Sequence, residues 1–191
     1  MNLVKLFFLI LLLNSCSEKA PVPKPPTYLN INFPKHTYRI VKGDCPYEFK
    51  LASIFNYRTI ENKKSNYCVQ EVDLGPLKGS LFLYYISLAS RDSLASVINF
   101  SNDKIDEHKI KADKIDFQQI VDKKNNVYGT FFELKGNVAT NFQFYLTDSI
   151  QNFVRGEILL NCIPNYDSLR PSLDYLKVDL LEMVHNFKWK K

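Results

Sequence analysis

The residues best suited to chemistry fall into a few small groups. Asp103, Asp106, Glu107 and His108 place carboxylates beside an imidazole, the combination that general acid–base work requires. The stretch around them, SNDKIDEHKIKADKID, alternates Lys with Asp and Glu, as a solvated helix surface or loop does, so the bland role outweighs the catalytic one. Tyr145, Asp148 and Arg155 lie on or beside adjacent predicted strands. They would either converge on a site or serve as turn and cross-strand pairs, and the second is the expectation. His36, His108 and His185 are far apart, and no CxxC or HxxxH spacing offers zinc a ligand set. GxSxG, HExxH, a phosphate-cradling glycine loop and a calcium loop are all missing from the sequence. No catalytic residue, metal ligand or cofactor is assigned, and the chain is read as a non-enzyme.

The cysteines carry a different chemistry. Lys5 precedes an apolar run at 6–13, too short to cross a bilayer core of about 30 Å but suited to a signal peptide. Leu13-Asn14-Ser15-Cys16 then resembles the lipobox cut by bacterial signal peptidase II, with Asn14 the loosest fit. On that reading residues 1–15 are removed, and Cys16 becomes the lipid-attachment residue, carrying two or three acyl chains such as palmitate. Two chains anchor a protein stably, since each buried methylene contributes roughly 0.8 kcal/mol. The competing readings are a plain secretory signal with an incidental cysteine, or an uncleaved membrane stub. Residues 16–26 are Cys16 followed by SEKAPVPKPP, whose four prolines make a semi-rigid tether. Glu18 is the one acid close behind Cys16, with no acidic cluster to suggest surface export. The expected location is therefore the outer membrane, lipid-anchored on the periplasmic face.

An oxidising compartment permits disulfides. Of the 4 cysteines, Cys45 and Cys68 are the candidate pair, closing a loop worth about 3 kcal/mol. Cys162 ends an apolar run and is expected to be a buried free thiol. The chain has 25 Lys and Arg against 20 Asp and Glu, and loss of Lys5 with the leader reduces the excess further. No basic stripe with interleaved aromatics accompanies it, which disfavours nucleic acid as a partner.

These groups must be positioned by one domain spanning 27–191. Strands are predicted at 28–33, 47–51, 67–74 and 81–88, the last so continuously apolar that it is expected to avoid water on both faces. Ser90-Arg-Asp-Ser offers helix N-caps ahead of Leu94, Val97 and Ile98, a short amphipathic pattern that fades into the charged stretch. From Ile115, four strands separated by Asn125-Asn126, Gly136-Asn137 and Asp148-Ser149 turn signals make an antiparallel meander. Gly129, Gly136, Gly156 and Asn137 are expected at its bulges or turns. Asp167 or Ser168 caps a last helix, with Pro171 in its first turn. In it Leu169, Leu173, Leu176, Leu180, Met183 and Phe187 repeat at helical spacing, one apolar face that must dock on the sheet. The fold class is α+β, a mainly antiparallel sheet covered by helices, comparable in layout to Mog1/PsbP-like sandwiches. A ligand site between sheet and helices would be lined by Phe131, Phe132, Phe142, Phe144 and Tyr145, though core packing is favoured for them.

Longer blocks are more specific: DCPYEF at 44–49, VYGTFFELKGNVATNFQFYLTDS at 127–149, NFVRGEILLN at 152–161, PNYDSL at 164–169 and NFKW at 186–189. Together they resemble the gliding-motility lipoprotein GldD family of Bacteroidetes. The resemblance implies a cell-envelope lipoprotein required for gliding and linked to type IX secretion, whose partners are the membrane and other gliding or secretion envelope proteins. It carries the lipid-attachment role onto Cys16, supports Cys45 and Cys68 as a pair, and assigns no catalytic residue. A periplasmic lipoprotein binding a small apolar ligand or lipid is the alternative.

Overall fold

Turn chemistry lays out the second half of the sheet. Asp122 accepts from the backbone N–H groups of Lys124 (3.0 Å) and Asn125 (3.2 Å), while Asn126 takes a positive φ of 52°. Asp148 accepts from the N–H groups of Ile150, Gln151 and Asn152, each at 2.9 Å. These turns fix β6 (Ala112–Asp122), β7 (Val127–Gly136), β8 (Phe142–Thr147) and β9 (Asn152–Leu160) as an antiparallel meander. The expected hairpins are all present.

The computed structural model describes residues 32–63 and 66–190. Within them the first half supplies β1 (Tyr38–Val41), β2 (Tyr47–Ala52), β3 (Asn56–Lys63), β4 (Tyr67–Asp73) and β5 (Gly79–Ser87). The helix α1 (Arg91–Asp106) follows β5, and α2 (Tyr166–His185) leads to the short strand β10 (Lys188–Trp189). The seven-stranded sheet has the order β3-β4-β5-β9-β8-β7-β6, so the chain leaves β5, crosses the sheet through α1, and returns along the meander until β9 pairs with β5. A second sheet, β1-β2-β10, has three strands, and every pairing in both sheets is antiparallel. The fold is α+β.

One face of the large sheet carries Val72, Leu81, Leu83, Phe144, Val154 and Ile158, which pack with Tyr47, Phe49 and Leu51 of β2 and with α2 in a single apolar core. From α2 that core takes Leu173, Leu176, Leu180, Met183 and Val184, followed by Phe187, so the apolar stripe docks where the sequence requires it. At roughly 1.5–3 kcal/mol per fully buried large aliphatic, these side chains are a main source of the domain's stability. The other face bears α1, whose Ile105 packs with Leu134 and Val138 in a small separate cluster.

Several expectations need correction. The chain 28–31 lies outside the described residues, and Asn32 and Phe33 are not strand. β5 alternates buried and half-buried residues, because only one of its faces meets the core. The helix α2 is capped by Asn165, whose side chain accepts from Ser168 N at 3.3 Å, so it begins before Asp167, and Pro171 falls beyond the first turn. Cys162 is exposed, because β9 ends at Leu160 and the apolar run overshoots the sheet. Gly136, at φ 124°, does sit opposite a register shift between Ala112 and Lys114. Gly129 and Gly156 instead lie in regular register within β7 and β9. The sequence reading missed β1, β3 and β10, and it underestimated the length of α1.

Candidate functional site

The groups weighed for chemistry are mostly engaged structurally. Lys104 Nζ lies 2.6 Å from Glu107 and Lys109 Nζ 2.6 Å from Asp106, on the exposed end of α1. His108 is half-buried beside them, and burial lowers its pKa despite the neighbouring Glu107. Tyr145 and Arg155 are direct cross-strand partners, while Asp148 closes the β8–β9 turn. Turn chemistry accounts for Asp148, and cross-strand pairing accounts for the placement of Tyr145 beside Arg155. Phe131, Phe142 and Phe144 belong to the core, and Phe132 and Tyr145 stand on the opposite face. The aromatic set thus does not line a common cavity.

Burial opposes ionisation of Asp148, yet the N–H donors from Asn152, Ile150 and Gln151 prevail and hold its carboxyl below the usual range. A depressed folded-state pKa gives stability that is present above the unfolded value and lost as pH falls through the folded one. Acid unfolding of Asp148→Asn should therefore lose part of the wild type's slope below the ordinary Asp pKa, as read by circular dichroism at stepwise lower pH. An unchanged slope would remove this turn as a contributor.

Cys45 and Cys68 are bonded, with their Cα atoms 5.8 Å apart. Cys45 precedes β2 and Cys68 lies on β4, so the bond staples the small sheet to the large one. Cys16 lies outside the described residues.

Sequence reasoning missed three features. Asp179, 3% exposed on α2, has Oδ1 2.7 Å from His36 Nδ1, and the His36 ring stacks on Tyr175 with centroids 4.3 Å apart. Burial and the Asp179 carboxylate together push Tyr38 up to about 12. The segment that enters the domain is thus clasped to α2. An acid beside the apolar stripe of α2 was the available signal, but its partner lies 143 residues away.

The second feature is the open edge of the large sheet. Among the described residues β6 pairs only with β7, and its Phe117 and Val121 are 70% and 60% exposed.

The third is a cleft of about 450 Å³ between α1 and the outer face of the sheet. Val97, Phe100 and Lys104, spaced along one side of α1, face Tyr84, Ile86 and Phe153 across it. Its floor holds Arg155, whose Nη2 donates to Gln143 Oε1 (2.7 Å) and Glu157 Oε2 (2.6 Å). Tyr84 donates to the other Glu157 oxygen at 3.1 Å, and burial together with that carboxylate pushes its phenol up to about 12.

The structure defines an α+β domain, a mainly antiparallel sheet with its C-terminal helix packed on it. The chain matches the family described as gliding motility lipoprotein GldD over residues 18–189 and belongs to that family. Involvement in gliding motility and a membrane-anchored place in the cell envelope follow from that membership. A search of curated proteins gives no match.

Proposed function

We propose that this chain is a non-catalytic assembly component of the gliding machinery, linked to type IX secretion and held on the periplasmic face of the outer membrane by acyl chains on Cys16. Residues 1–15 serve as the leader, 16–26 as the tether, and 27–191 as the single working domain. The family match over 18–189, which starts directly behind the lipobox, carries this reading.

Two features support an assembly role. Two of the acid–base candidates at the end of α1, Asp106 and Glu107, are held in ion pairs with lysines. The open edge at β6 offers backbone groups for strand addition, with Phe117 and Val121 as exposed apolar side chains beside them. The expected partner is an envelope protein that contributes an extended segment.

Cross-linking in gliding cells tests this. Wild-type protein should capture defined gliding or secretion envelope proteins, and Phe117→Asp should lose them while its unfolding midpoint stays unchanged, since Phe117 packs little. Capture that survives Phe117→Asp would remove this edge as the interface. Capture of no gliding or secretion protein by the wild type would sink the assembly role.

A further inference from the structure

The helix α1 is unevenly seated. Over its length only Ser101 and Ile105 are buried, whereas α2 buries a full apolar stripe. Its C-terminal end is held by Ile105 against Leu134 and Val138, and its N-terminus is capped by Ser90. Between these supports Phe100 remains 53% exposed above the cleft. Protein interiors rarely leave apolar walls apart, because separated surfaces forfeit dispersion contacts. A gap of about 450 Å³ is within the size range of small-molecule sites.

The cleft floor is incompletely satisfied. Arg155 is 7% exposed and Gln143 2% exposed, yet Arg155 Nε and Gln143 Nε2 have no hydrogen-bond partner. Both are donors, and both belong to the one Arg155–Gln143–Glu157 network. Buried donors without acceptors are costly, and the one on Arg155, which lines this apolar cleft, calls for an acceptor. Lys104 adds a positive charge near the rim, shared with Glu107.

We propose that this cleft binds a long-chain fatty acid, with the acyl chain between α1 and β5 and the carboxylate directed to Arg155. The apolar walls fit the chain, and the Arg155 guanidinium, with its unpartnered Nε, fits an anionic head. The proposal rests on the cleft alone and is independent of the gliding role.

Photo-labelling tests it in washed membranes carrying the full chain, with added palmitate bearing a diazirine on its acyl chain. Label should map to the peptides of α1 and β5 that line the cleft. Unlabelled palmitate should compete roughly tenfold better than hexadecanol, as a charge-assisted contact predicts. Val97→Trp, which fills the cleft, should abolish labelling without lowering the unfolding midpoint. Arg155→Gln should make the two competitors equal. Should Arg155→Gln fail to fold, the wild-type comparison of acid and alcohol still decides. Label confined to other surfaces, equal competition by hexadecanol in the wild type, or labelling that survives Val97→Trp would each overturn the assignment.

Discussion

Gly129→Ala should destabilise the domain by about 3 kcal/mol, near the upper end for overpacked sites. A Cβ there would stand 1.9 Å from the Tyr145 carbonyl oxygen, 2.9 Å from its carbon and 3.0 Å from Leu146 Cα. These are backbone atoms of the paired strand β8, opposite Gly129 in the ladder. No rotamer change can relieve the contact, so β7 and β8 must separate, and the hydrogen bonds between them weaken. Gly156→Ala makes an instructive contrast. Its Cβ would meet the Phe144 ring at 2.2 Å, but a ring can shift, at the expense of its packing on Phe131. The smaller loss is expected there. Urea unfolding measures both, and a Gly129→Ala midpoint equal to wild type would contradict the close approach.

The joint replacement Cys45→Ser with Cys68→Ser should remove about 3 kcal/mol, a substantial part of the 5–15 kcal/mol typical of a domain. The bond spans a sequence separation of 23 and ties the approach to β2 to β4, which otherwise join through the core. Both residues are buried, at 0% and 2% exposure, so the new hydroxyls would also enter apolar surroundings. Wild-type protein unfolded under reducing conditions should approach the midpoint of the double variant. A double variant as stable as the oxidised wild type would show that the staple contributes nothing.

The meander was legible because its signals are local. Asp122 and Asp148 accept from N–H groups two to four residues away, and the runs beside those turns are rich in aromatic and β-branched residues. The helix α2 was legible for the same reason, since its stripe repeats at 3.6 residues. β3 was not, because NYRTIENK is a polar edge strand whose pairing is set by β4. β10 is two residues long and exists only by pairing with β2, far away in sequence. The charged second half of α1 hid how far that helix runs. The candidate sites were less legible still. Nothing local to Arg155 or Gln143 announces two orphaned donors, and the exposed side of β6 depends on which face α2 covers. The lipobox-like Leu13-Asn14-Ser15-Cys16 is the opposite case, a resemblance that rests on four adjacent residues.

The measurement that decides the functional account is rescue of a strain lacking this gene. Colony spreading and the proteins of the culture fluid are scored together, with the wild-type copy beside a Cys16→Ala copy expressed at equal level. The account predicts that spreading and adhesin secretion are lost on deletion, restored by the wild-type copy, and not restored by Cys16→Ala. Unchanged spreading and secretion in the deletion strain, or full rescue by Cys16→Ala, would contradict an anchored component of gliding.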